Sequence, residues 1–104
     1  MLTTDQIIKL LEDYDVQCAF NHFNEPVTPP YMVYNISSTD NFNADNCVYH
    51  QIDTLEIELY SRVNPLEEER KLEKYLTDNG VLWDKSSDTW IDEDKVMMSV
   101  YEIG

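Results

Sequence analysis

Glycine and proline are scarce in this chain, two and four in 104 residues, and the scarcity excludes a collagenous or low-complexity polymer. Cysteine is too rare for a disulfide scaffold. Cys18 and Cys47 build no framework of bridges and read as two reduced, buried thiols that behave as small hydrophobes. No apolar run approaches the ~18 residues that cross a bilayer, so no membrane contact is expected. The opening stretch carries Asp5, Lys9 and Glu12 where a signal peptide needs a basic segment. That points to a protein made and used inside a cell, or built into something assembled there. Basic residues are few as well: seven Lys and Arg stand against 21 Asp and Glu, a formal charge of −14. Such a surface repels nucleic acid and anionic membranes. The aromatic residues also lack the Lys and Arg companions of a base-stacking platform.

What is present suffices for a single domain over 1–104. Hydrophobic residues make up 42%, with seven Tyr, three Phe and two Trp, enough to bury a core. Thr3 as cap, Gln6 completing a capping box and Leu2 stapling onto Ile7 predict a helix over about 4–13. Its apolar face holds Ile7, Ile8, Leu11 and Tyr14. Residues 16–20 alternate as a first strand, and three prolines make 21–30 a loop. A β-rich run follows over 31–36. Residues 37–46, with three Asn and two Asp, read as a second long loop. The longest strand signal spans 47–62, where Ile52, Leu55, Ile57 and Leu59 alternate with Asp53, Glu56, Glu58 and Tyr60. A phase break at Thr54 and Leu55 marks an expected bulge.

Asn64 as cap and Pro65 at the first helical position open a second helix. Leu66, Leu72, Tyr75 and Leu76 can share one of its faces, and Asn79 with Gly80 ends it. Residues 81–83, 89–91 and 96–103 read as three more strands, the last two forming a hairpin around 92–94. The expected order is α-β-β-β-α-β-β-β. It implies an α+β fold: a mixed or antiparallel β-sheet with two helices packed on one face.

Catalytic chemistry finds little support. Cys18 with His22, and Cys47 with His50, have spacings able to build a tetrahedral zinc site. Core burial explains Cys18 equally well, strand alternation places His50, and structural thiols are the preferred reading. A Cys–His nucleophilic pair has no local cue behind it. Asp40, Asn43 and Asp45 crowd one stretch without the pattern of an EF-hand, and turn capping accounts for them. Glu67, Glu68 and Glu69 sit at a helix start, where the helix dipole favours acids. Phosphate loops, nucleophile elbows and zinc-protease motifs do not occur. The chain is therefore read as no enzyme, with no cofactor.

Several segments taken in order carry a resemblance. They are Asn21, His22 and Phe23; Pro29 through Tyr34; Asp40, Asn41, Phe42, Asn43, Ala44, Asp45 and Asn46; Ile57 through Ser61 before a Glu-rich helix; and Ile91, Asp92 and Glu93 followed by Val100, Tyr101 and Glu102. Over about 19–104 the chain resembles the tail terminator, or tail completion, proteins of siphophages and prophages of Gram-positive hosts. The resemblance implies an α+β fold, a six-fold homo-oligomeric ring, and a place in the virion between tail tube and head connector. It implies partners in the tail tube protein and a head-completion protein, DNA passing through without specific binding, assembly in the host cytoplasm, and no catalytic residues. By analogy the contact loops hold Asn21, His22, Phe23 and Asn24, and Asp40, Asn41, Phe42, Asn43 and Asp45. A ring lumen lined by carboxylates would repel the passing DNA. The competing readings are an acidic DNA mimic or host inhibitor and, more remotely, a small metal-dependent hydrolase.

Overall fold

In the computed structural model the backbone is described for residues 2–44 and 47–103, and the side chains for 2–36 and 54–103. The elements run α1 (Thr4–Asp13), β1 (Gln17–Phe20), β2 (Tyr31–Ala44), β3 (Cys47–Ser61), α2 (Pro65–Asp78), β4 (Trp83–Ile91) and β5 (Val96–Ile103). The strands form one mixed sheet in the order β1-β2-β3-β5-β4, with β1 parallel to β2 and the other pairs antiparallel. The chain is an α+β protein.

Helix α1 starts as its sequence predicts. The Thr3 hydroxyl accepts from the Gln6 N–H at 3.2 Å, and the Gln6 side chain accepts from the Thr3 N–H at 2.8 Å. Helix α2 starts differently, because Asn64 makes no side-chain capping bond. Pro65, whose ring presets a helical φ, occupies the first turn, and the Glu68 N–H donates to the Asn64 carbonyl at 3.0 Å. The helix stops at Gly80, which has φ +77°. There the Gly80 N–H reaches Thr77 O at 3.1 Å and the Val81 N–H reaches Leu76 O at 2.9 Å, closing the last turn in a Schellman motif.

Both helices cover the same face of the sheet. Ile7 and Leu11 from α1 and Leu72 and Leu76 from α2 meet Met32, Leu55, Ile57, Leu59, Tyr101 and Ile103 in one buried cluster. Polar bonds fix how the helices sit. The Tyr75 hydroxyl donates to Leu10 O at 2.7 Å, that of Tyr101 to Glu73 at 2.7 Å, and the Trp83 indole N–H to Thr77 Oγ1 at 3.0 Å. Glu69, only 5% exposed, pairs with Lys85, which also reaches Asp88 at 2.6 Å. A buried carboxylate left alone is costly, and Lys85 on β4 supplies the partner that holds α2 over the sheet.

Three expectations need correction. Residues 37–44, the described part of the expected 37–46 loop, are strand: β2 runs on to Ala44, paired with a β3 that begins at Cys47. Asn and Asp read as loop formers because they compete for backbone bonds, but an antiparallel partner directly opposite satisfies those bonds. The expected strands at 81–83 and 89–91 give way to one: β4 runs unbroken from Trp83 to Ile91, with Val81 and Leu82 ahead of it, so five strands stand where six were expected. Its polar middle is that of an edge strand, carrying Asp84, Lys85 and Asp88 and a register shift between Lys85 and Ser87. Leu66 is 61% exposed, and Glu69 takes the inward place beside Leu72 and Leu76. The phase break at Thr54 and Leu55 does mark a register shift, with the extra residue, Ser37, on the opposing strand.

The register also creates a projection. β1 reaches only as far as Tyr34 and β5 only as far as Leu55. Beyond them, seven Cα pairs from Ser38 opposite Thr54 to Ala44 opposite Cys47 join β2 to β3 alone. At ~3.3 Å per residue this two-stranded ribbon is about 20 Å long. The molecule as a whole measures 52 × 29 × 23 Å.

A Cβ added at Gly80 meets nothing within 4 Å. Gly80→Ala therefore tests the left-handed backbone alone, with an expected cost of about 1 kcal/mol. Urea unfolding should show a lower midpoint at an unchanged m-value.

Candidate functional site

β1 and β2 run parallel, so the chain leaving Phe20 must return to the other end of the sheet before β2 can begin. The 21–30 loop makes that return across the face opposite the helices. Its first step is a tight turn: Asn21 sits at φ 67°, a conformation Asn tolerates, and the His22 N–H reaches Phe20 O at 2.7 Å. The Asn21 N–H also bonds Tyr34 O at 2.9 Å. The Phe23 ring then lands edge-on against Tyr31, with centroids 5.7 Å apart. The loop closes through Pro26, Pro29 and Pro30, the last two joined by a cis peptide.

The result is a groove of about 630 Å³ on the helix-free face. The loop forms one wall through His22, Phe23 and Glu25, and the β4–β5 turn forms another through Glu93 and Asp94. The floor comes from Tyr31 and Val33 on β2, Glu58 and Tyr60 on β3, and Val96 on β5. Tyr31 stands opposite Tyr60 in the register, and their rings stack with centroids 4.7 Å apart and planes 18° from parallel. Arg62 donates to Asp94 O at 3.1 Å and so ties the end of β3 to the turn.

The groove is negative and partly dry. Burial, and then the nearby Glu56 charge, hold the Glu58 carboxyl above the usual carboxylate range, while a hydrogen bond with Tyr60 pulls the other way. Burial and the Glu58 charge push the Tyr60 phenol up to about 12. Among the described residues, no Lys or Arg lies within ion-pair distance of Glu58.

The expected contact residues separate into two places. Asn21, His22 and Phe23 line the groove, and Asn24 lies exposed on the same loop without lining it. Asp40, Asn41, Phe42 and Asn43 lie on the β2 strand of the ribbon, about 30 to 40 Å further along β2 from Tyr31 at ~3.3 Å per residue. Asp45 falls outside the described residues. Glu58, Tyr60, Glu93 and Asp94 were not singled out as site residues in the sequence. The alternation on β3 already places Glu56, Glu58 and Tyr60 on one face, and only the topology adds the loop and turn that wall it.

The sheet separates Cys18 from His22: Cys18 packs against the helix-side core, and His22 lines the groove. The side chains of Cys47 and His50 lie outside the described residues. Among the described residues, no group of three or more His, Cys, Asp or Glu is placed to hold a metal ion. Burial, with the Glu12 charge second, pushes the Cys18 thiol up to about 11, and a protonated thiol is a poor nucleophile. Among the described residues, no helix is long and apolar enough to cross a membrane.

Two measurements follow. In a Cys47→Ser variant, Cys18 should react with iodoacetamide more slowly than free cysteine at pH 8, with a rate still climbing at pH 10. Glu58→Gln should raise the melting temperature at pH 7. A carboxyl whose folded pKa exceeds its unfolded value of about 4.5 contributes stability below that value and loses it as pH rises through the folded pKa. The advantage of the variant should therefore shrink toward zero as pH falls to about 4 in parallel thermal melts.

The sequence matches no protein-family model, and no curated protein matches it at a significant level.

Proposed function

We propose that this chain is a structural virion protein, a ring-forming tail terminator or head–tail joining subunit that caps the tail tube and docks it to the head connector. The observation that carries the reading is the two-stranded ribbon. Its outer edges lie beyond the reach of β1 and β5. A two-stranded hairpin alone is marginal in water, and open strand edges are templates for pairing with another chain. An arm of this length gains stability when a neighbouring subunit or tail component packs on it. Residues 40–43, part of the resemblance to tail terminators, lie on this arm. Each arm engaging the next subunit head to tail gives a heterologous interface, the kind that closes into rings.

In this reading the chain works by contact at the head-proximal end of the tail. The acidic DNA-mimic alternative fits less well, because a mimic needs its carboxylates arrayed along one elongated surface. Here Glu12, Asp13 and Glu67 are on the helices, whereas Glu56 and Glu58 belong to the opposite face of the sheet.

Light scattering on the full chain tests the proposal. Each subunit carries −14, so closure works against repulsion, and added salt should promote association. The expected result is an oligomer that grows with protein concentration, salt or added tail-tube protein. Replacing residues 40–52 by Asn-Gly should abolish that assembly and leave thermal unfolding cooperative, since the described core lies outside that stretch. A chain that stays monomeric with tail-tube protein at every salt concentration contradicts the proposal.

A further inference from the structure

The groove on the helix-free face is not required by the ring reading, and its chemistry narrows what it holds. It pairs aromatic rings with negative charge. The stacked Tyr31 and Tyr60 rings supply the aromatic part of the lining, and Phe23 stands edge-on to Tyr31. Glu58 lies in the floor next to Tyr60, while Glu25, Glu93 and Asp94 stand around it. The lining's one arginine, Arg62, is turned to a backbone carbonyl.

These features exclude several occupants. Anions and nucleic acid are repelled by four carboxylates. A purely apolar ligand leaves Glu58 desolvated and without a counter-charge. A metal ion needs ligands in closer convergence than any described group of His, Cys, Asp and Glu provides. A second copy of this chain, itself at −14, brings the same sign of charge. A guanidinium or ammonium group satisfies both halves of the groove: its face or stem packs on the tyrosine rings while its N–H groups reach the carboxylate.

We propose that this groove is a docking site for a basic linear segment of a partner protein, with one Arg or Lys side chain seated between the Tyr31–Tyr60 pair and Glu58. Glu93 and Asp94 steer the segment by charge, and the 21–30 loop through Phe23 closes over its apolar stem. The proposal stands whether or not the chain closes a ring. The two ideas also respond oppositely to salt: salt strengthens association between acidic subunits and weakens capture of a basic segment.

The test is fluorescence polarisation of a fluorescein-labelled triarginine peptide titrated with the full chain at low salt. Triglutamate is the negative probe. Four proteins are compared: the native chain, Glu58→Gln, Tyr60→Leu, and Glu67→Gln, whose exposed carboxylate lies on α2 away from the groove. Glu58→Gln and Glu67→Gln change net charge equally. The expected result is peptide binding that weakens about tenfold or more in Glu58→Gln and Tyr60→Leu and stays within about twofold in Glu67→Gln. Should Tyr60→Leu fail to fold, the comparison of the two Glu→Gln variants decides alone. Equal weakening in those variants marks diffuse charge attraction and overturns the proposal. So does absence of binding. A native chain that self-associates through the groove, becoming monomeric in Glu58→Gln, overturns it in favour of a second copy as occupant.

Discussion

Strand β3 has to serve two faces and two environments at once, and the rest of the molecule depends on how it does so. Over its inner half, Leu55, Ile57 and Leu59 point into the core under the helices, while Glu56, Glu58 and Tyr60 point to the other face. Strict alternation of side chains makes this an all-or-none arrangement. A slip of one residue would bury the acids and expose the leucines. The register shift opposite Thr54 and Leu55 marks where that inner half ends and the ribbon begins. Core, groove and arm therefore share one strand, and its register fixes all three.

The helix-side core was legible from periodicity because burial against α1 and α2 forces apolar residues to recur at fixed intervals. Ile7 and Leu11, Leu72 and Leu76, and Leu55 through Leu59 all fall where their spacing puts them. The capping box at Thr3 and the stop at Gly80 were legible because each uses a residue type that the local backbone demands. The β2 half of the ribbon was not, although its β3 partner was. Residues 37–44 are mostly polar, and strand formation there rests on a partner strand rather than on intrinsic preference. Glu69 was misread for a related reason: its burial depends on Lys85, sixteen positions away, and only the fold brings the two together. The groove shows the same limit. Tyr31, Glu58, Tyr60 and Glu93 are scattered in sequence, and the parallel β1–β2 connection that walls them in is a property of topology.

The acidity of the chain takes on separate local meanings. Asp84 and Asp88 lie on the exposed edge strand, where charge discourages unwanted pairing. Glu69 and Glu73 anchor α2 to the sheet through Lys85 and Tyr101. Glu58 is held at a cost in the groove, without a cation beside it among the described residues, and a group kept under such conditions points to function rather than solubility. The remaining exposed acids set the repulsion that any assembly of like subunits must overcome.

The central claim is that the ribbon is an assembly arm, stable when a neighbour packs on it. Amide hydrogen exchange resolves this at the level of the backbone. In the dilute free chain, amides of residues 38–44 and 47–54 should exchange quickly while those of Leu55, Ile57 and Leu59 stay protected. On addition of tail-tube protein, or on self-association at raised salt, the ribbon amides should become protected. A ribbon as protected in the dilute monomer as the core, or one that stays unprotected in the assembled state, contradicts the account.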